Sequence, residues 1–213
     1  MNPKIEKRFK NVMKSEAFMN ILETFGLSEK KVLDVGCAFG EYLANFGMGS
    51  VGLTVVDEEV EFGKKNNLDI RFGNVDDPTF HTDERFDVVY ANNLFEHLYS
   101  PHSFLIKTKD FLKEDGILIL GVPCIPKIVS LLHFVKFRGS LATAHINFFT
   151  RDTLIRTVER AGWYILECRS YHFKNNFVDQ VFNFLYPHFY VIAKVDKDFK
   201  YDSKRERELA GYK

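Results

Sequence analysis

The stretch KKVLDVGCAFGEYL, from Lys30 to Leu43, holds a short apolar run, a glycine turn and the start of a helical pattern. Turns of this build between a strand and a helix commonly present backbone N–H groups to a phosphate. The dinucleotide-binding fingerprint spaces its glycines as Gly-x-Gly-x-x-Gly. Here the spacing is tighter, with Gly36, Ala38 and Gly40 preceded by Asp34. A carboxylate at the mouth of a phosphate site repels its ligand; it suits a ligand that carries positive charge. Small residues at 36, 38 and 40 let the chain pass close to such a ligand.

Outward from this turn, strand-like and helix-like segments alternate. Lys31–Val35 reads as a first strand and Gly40–Phe46 as the opening of a helix. Ser50–Val56 is a second strand, Glu58–Asn66 a helix, and Asp69–Phe72 a short third strand. Phe86–Ala91 is continuous and β-branched, as a strand covered on both faces should be. Phe104–Leu112 reads as helical and Gly116–Val122 as a fifth strand, ended by Gly121 and Pro123. Such alternation predicts a parallel sheet with helices on both faces. Ahead of it, Ile5, Phe9, Val12, Met13, Ile21, Leu22 and Phe25 suit one or two amphipathic helices. Past Pro126, a helix is expected over Arg151–Ala161, with Thr150 as N-cap and Gly162 as stop. Trp163–Arg169 and Phe189–Val195 read as two further strands, separated by the aromatic, partly helical HFKNNFVDQVFNFLYPH. The tail from Asp196 carries mixed charge and reads as a solvated helix or disorder.

The 213 residues suit one domain with a real core. Lysine plus arginine and aspartate plus glutamate number 29 each, and this neutrality disfavours a dedicated nucleic-acid binder. The start MNPKIEKRFK places charges where a signal peptide needs apolar residues, so secretion is not expected. With no run of about 18 apolar residues, no transmembrane segment is expected either. Cys37, Cys124 and Cys168 are odd in number and widely spaced, which suits reduced thiols in a cytoplasmic protein. Histidines 81, 102, 133, 172 and 188 show no metal-ligand spacing, and no metal is expected.

S-adenosylmethionine is a ligand of the required sign, with a sulfonium, an amino group and no phosphate. VLDVGCAFGEYL resembles motif I of the class I S-adenosylmethionine-dependent methyltransferases. RFGNVDD, RFDVVYANNLFEHL and FLKEDGILILGVP follow in that family's order and at its spacings. HINFFTRDTLIRTVERAGW resembles the next segment of the family's small-molecule branch, so the resemblance spans Lys31–Cys168. It implies a single class I domain over residues 1–213, Rossmann-like and doubly wound. Its seven-stranded sheet would be parallel except for the last strand. Residues 1–28 would form a helical cover over the cofactor, 124–149 and 171–188 acceptor caps, and 196–213 a charged tail.

The same resemblance assigns roles by position. Asp34 would contact the methionine amino group, partly through water. Gly36, Cys37, Ala38 and Gly40 would line the methionine and ribose. Asn74, beside Val75, stands where the family usually carries an aspartate toward the adenine amine; its amide oxygen still accepts a hydrogen bond. Ala91 and Asn92 would lie beside the sulfonium. The acidic residue that normally ends the second strand and holds the ribose is out of register. GLTVVDEE places Thr54 there and Asp57 three residues later. A similar Gly-Leu-Thr segment occurs in the fatty-acid cyclopropane synthase branch, where a threonine serves. Either Thr54 with the neighbouring backbone of Val55 holds the ribose, or the turn brings Asp57 inward.

The reaction implied is displacement at the sulfonium methyl by an oxygen of a small-molecule acceptor, such as a sugar, phenol or lipid-like metabolite. S-adenosylhomocysteine is the product. A histidine base suits proton removal near neutral pH. His145 is the first candidate and His97, in FEHL, the second; each also has a packing or loop-fixing reading. Ile128–Phe137 reads as a lid, a membrane-surface contact, a dimer interface or core. Lys127, Lys136, Arg138 and Arg151 favour an anionic acceptor or simply form a solvated rim. Phe173, Phe177, Phe182, Phe184 and Tyr186 would select the acceptor or pack. An RNA or protein methyltransferase, requiring a continuous basic groove, and a non-catalytic binding protein of this fold are the alternatives. The chain would act as a monomer or homodimer.

Overall fold

The computed structural model describes residues 2–126, 144–182, 185–201 and 204. Its strands are β1 (Val32–Val35), β2 (Val51–Thr54), β3 (Ile70–Phe72), β4 (Phe86–Asn92), β5 (Leu112–Pro123), β6 (Trp163–Arg169) and β7 (His188–Val195). They make one seven-stranded sheet in the order β3-β2-β1-β4-β5-β7-β6. The first five pair in parallel, and β7 runs antiparallel to both β5 and β6. This is the sheet expected, reversed last strand included. Every residue of β1 and β2 is buried, which is why these strands read as continuous rather than alternating apolar runs.

The helices are α1 (Pro3–Met13), α2 (Glu16–Thr24), α3 (Asp57–Lys65), α4 (Pro101–Thr108), α5 (Arg151–Arg160) and α6 (Asn176–Phe182). The N-terminal amphipathic stretch divides where Ser15 caps α2 by accepting the Phe18 N–H at 3.3 Å. Val12, Phe18 and Ile21 from this pair pack on Val88, Tyr90 and Ile119 of one sheet face. On the other face, Leu33, Val89 and Leu118 meet Phe104 of α4, Leu154 and Val158 of α5, and Trp163. The Trp163 indole N–H donates to the Leu105 carbonyl at 3.0 Å, so the largest core side chain is polar-satisfied as well as buried. Thr150 and Thr153 form a reciprocal capping box at the start of α5, and Gly162 follows its end at φ +77°.

Two expected helices differ. Gly40–Phe46 is a turn followed by a single 3₁₀ turn, Leu43–Asn45. Gly40 enters it at φ +81°, outside helical space. Tyr42 then turns onto Phe18, and Phe46 onto Tyr90, at ring separations of 4.9 and 5.4 Å. Tertiary aromatic packing here overrides local propensity. The helix expected over Phe104–Leu112 begins earlier, at Pro101 behind the Ser100 cap, and yields at Leu112 to a 12-residue β5.

Gly121 of β5 pairs with Asn92 of β4. A Cβ there would collide with Asn92 Oδ1 and stand 2.6 Å from the Tyr190 ring. Gly121→Ala is therefore expected to lose about 1–3 kcal/mol by overpacking. A lower denaturant midpoint at unchanged slope would register it.

The Ile125 N–H donates to the Phe149 carbonyl at 2.7 Å, beside a bridge between Cys124 and Phe149. The described residues that flank β5 and α5 thus meet at adjacent points. Ile128–Phe137, Lys127, Lys136, Arg138, Phe184 and most of the 196–213 tail lie outside the described residues. The aromatic insert is anchored by the buried Asp179, which accepts the Ser170 hydroxyl at 2.6 Å and the Tyr171 N–H at 2.8 Å. Among the described residues no helix is long and apolar enough to cross a membrane.

Candidate active site

From β1 the connections run one way to β2 and β3 and the other to β4 and β5, so a crevice opens at the carboxyl ends where the order reverses. The cleft there measures about 340 Å³. Gly36 and Ala38 line it from the turn, Thr54, Val55 and Glu59 from β2 and α3, Asn74 to Asp76 after β3, and Leu94, His97 and Leu98 after β4. Gly36, Ala38 and Gly40 have φ of +75°, +50° and +81°. The Gly36 and Cys37 N–H groups both donate to the Leu53 carbonyl, at 2.9 and 3.0 Å, which rivets the turn to β2. A Cβ at Gly36 would meet Leu94 at 3.1 Å, in a backbone region that side chains avoid. The Cys37 side chain points away from the cleft into a small core with Leu43 and Ile70. Burial raises its thiol pKa, and only its main chain belongs to the turn.

Asp34 is buried, set back from the cleft lining, and its Oδ2 finds no hydrogen-bond partner among the described residues. Burial, then the neighbouring Glu41, pushes its carboxyl well above the usual range, against a lesser opposing hydrogen bond from the Leu43 backbone. Glu41 is held by Arg8 of α1, whose Nε lies 2.7 Å from its carboxylate. Arg8 also lies over the Phe39 ring at 5.6 Å, so α1 clamps the outside of the turn.

Of the two residues expected near the ribose, Thr54 lines the cleft together with Val55. Asp57 is exposed at the start of α3 and does not line the cleft. Glu59 does, and the Thr54 hydroxyl donates to its carboxylate while accepting the Val56 N–H at 3.2 Å. Sequence reasoning missed Glu59. Its signal lay in the helix start: only in a helix opening at Asp57, one residue before the expected Glu58, does the third residue face back over the strand end. Asn74 Oδ1 accepts the Asp76 N–H at 3.0 Å, leaving one lone pair for a further donor. Val75 is buried below it, its carbonyl accepting Lys107 Nζ at 2.9 Å.

Ala91, expected beside the sulfonium, is fully buried in the sheet core and lines neither described hollow. Asn92 faces a second hollow of about 230 Å³, shared with Tyr42, Asn93, His172, His188 and Tyr190. Asn92 Nδ2 donates to the Tyr42 hydroxyl at 3.0 Å, and its Oδ1 finds no partner among the described residues. His188, not singled out from sequence, sits 3.1 Å from Asn93 Oδ1, and loss of solvent pushes it down to about 4.

At the cleft's lip the fold joins two sequence-distant pieces. The Ile146 and Asn147 N–H groups both donate to the Glu96 carbonyl at 3.0 Å, which sets His145 beside Glu96 and His97. His97 Nδ1 lies 3.0 Å from the Ala144 carbonyl, which can only accept, so that nitrogen carries the proton. The two imidazoles meet edge to face at 4.9 Å. Glu96 is buried, neither carboxylate oxygen has a hydrogen-bond partner among the described residues, and burial raises its carboxyl.

A family described as a methyltransferase domain matches residues 8–168. The chain belongs to that family. Within the class I S-adenosylmethionine-dependent superfamily, this methyltransferase is 38% identical over 167 residues to a ubiquinone biosynthesis O-methyltransferase of Haemophilus ducreyi, covering 70% of this chain and 71% of that one. It is 33% identical over 112 residues to the protein of the same name from Glaesserella parasuis, and that match spans 46% of this chain and about half, 48%, of the relative. A TehB-like S-adenosylmethionine-dependent methyltransferase from Corynebacterium glutamicum superposes at a TM-score of 0.62 over 90% of this chain and 96% of its own, at 16% identity, a likeness of fold alone.

Proposed function

We propose that this methyltransferase carries a methyl group from S-adenosylmethionine to a hydroxyl oxygen of a small-molecule acceptor. One observation carries the donor half: a buried carboxylate, Asp34, with an unpartnered oxygen beneath a turn whose three small residues take left-handed backbone. A buried acid of this kind calls for a cationic partner. The acceptor half is supported by the names of the relatives, which are ubiquinone biosynthesis O-methyltransferases.

Bound S-adenosylmethionine supplies an already activated methyl group, which the acceptor oxygen takes while the carbon–sulfur electron pair stays with sulfur. The protein's share is binding and alignment, a contribution that reaches roughly 7–11 kcal/mol in favourable systems. Asp34 would face the amino group, Glu59 with Thr54 the ribose hydroxyls, and Asn74 with Val75 the adenine edge. Asn92 and Tyr42 would border the acceptor. The acceptor's proton leaves as the new bond forms. His97 and His145 are the groups at the lip able to promote this, by taking the proton or by acting through a bound cation.

Calorimetry of the full chain with S-adenosylmethionine and with S-adenosylhomocysteine is the test. Saturable binding of both is expected. Lack of binding of either at millimolar concentration rejects the reading and favours a non-catalytic protein of this fold.

A further inference from the structure

We propose that Glu96, His97 and His145 form a divalent-cation site at the lip of the cleft. One oxygen of Glu96 and one ring nitrogen of each histidine all lie within 4.8 Å of one another. Nε2 of His97 is 3.7 Å from Glu96 Oε1, and Nε2 of His145 is 3.8 Å from the same oxygen. Ligands about 2.0–2.1 Å from a tetrahedral ion stand roughly 3.3 Å apart, so each histidine–glutamate arm needs to close by a few tenths of an ångström and the two histidine nitrogens by at most about 1.5 Å.

Three independent features point the cluster at a cation. The Glu96 side chain is 1% exposed, and neither oxygen has a hydrogen-bond partner among the described residues. A buried carboxylate in that condition is normally paired or metal-bound. His97 spends its Nδ1 proton on the Ala144 carbonyl, which leaves the Nε2 lone pair on the Glu96 side. Histidine ligands are typically oriented this way by a backbone carbonyl behind them. Finally, main chain holds the two pieces together: Glu96 accepts from Ile146 and Asn147, and Asn147 Nδ2 donates to the Leu98 carbonyl at 2.7 Å. Ligands mounted on pinned backbone keep their geometry.

Two imidazoles and one carboxylate suit borderline ions such as zinc, cobalt(II), iron(II) or manganese(II), and three protein ligands leave positions open. Because His97 also lines the cleft, those positions face it. On the methyltransferase reading above, they would take the acceptor hydroxyl, orient it and lower its pKa. The two histidines then act as ligands, and neither is the proton acceptor itself. Sequence spacing hid the site because residues 96–97 and 145 are joined only by the fold.

The test uses the full chain freed of metal by chelation and titrated with Co²⁺. One equivalent is expected to bind with a visible ligand-field spectrum. Glu96→Gln, which keeps the side-chain shape, and His97→Ala, which empties a half-exposed position, should each weaken uptake by at least about 10–100-fold. S-adenosylmethionine affinity, measured on chelated wild type, Glu96→Gln and His145→Ala, should be the same in all three. No Co²⁺ uptake at millimolar concentration, or equal uptake by wild type and His97→Ala, overturns the cation site whatever the cofactor result. Co²⁺ uptake without S-adenosylmethionine binding upholds the site and rejects the methyltransferase reading instead.

Discussion

Asp34→Asn is expected to weaken S-adenosylmethionine binding by roughly 10²–10³-fold, the scale on which a buried charge pair loses one partner. The same change should stabilise the ligand-free protein. Asp34 is buried beside Glu41, and one of its oxygens finds no partner among the described residues. Its carboxyl is raised in the folded state by burial first and Glu41 second. Stability from such a group is full below the usual carboxylate range and is lost as pH rises through the raised folded value. Asparagine carries no such titration, so the variant's advantage grows with pH across that window. A gain of about 1 kcal/mol would appear as roughly 2–4 °C in melting temperature for a chain of this size. Ligand affinity follows the opposite sense. Wild-type binding should weaken as acidification protonates Asp34, at a pH above the ordinary carboxylate range, while the variant's weak binding stays flat. Melting curves and calorimetry across pH read both. A variant that melts lower at neutral pH and binds normally would show Asp34 to be a structural cap.

The second large effect concerns the ribose. Glu59→Gln is expected to cost about 10–100-fold in cofactor affinity, the loss of charged hydrogen bonds to two hydroxyls. Asp57→Asn, two residues away on the exposed start of α3, should leave affinity unchanged. Glutamine still accepts the Thr54 hydroxyl, so the local fold is kept and the comparison isolates charge. If Asp57→Asn proves the more damaging, the ribose is held from the helix start rather than from its third residue.

What the sequence disclosed, and what it withheld, follows from the range of each interaction. The sheet was legible because β1 and β2 are buried along their length and β4 at five of its seven residues, so their sequences are near-continuous apolar runs. The glycine turn was legible because left-handed backbone at 36 and 40 demands residues without a side chain. Thr150 announced its helix through a local capping pattern. Glu59 was hidden because its role depends on which face of α3 looks back at Thr54, which shifts with the helix start. Asp34 was legible as an acid, but its loss of solvent was not, since Glu41 and the α1 clamp reach it through the tertiary fold. Ala91 was legible as a strand-end residue but its complete burial was not, because strand-end position alone does not tell which face of β4 a residue occupies. The histidine pair at the lip depends on two backbone bonds spanning about fifty positions of chain, beyond any spacing rule.

The staple between Ile125 and Phe149 separates two evolutionary freedoms. With Ile125 and Phe149 fixed side by side, the length of chain between them can change without disturbing strand register. Doubling its length costs only about 0.6 kcal/mol of closure entropy. Insertion and deletion between these two residues are thus tolerated separately from the strand ends that set the cleft.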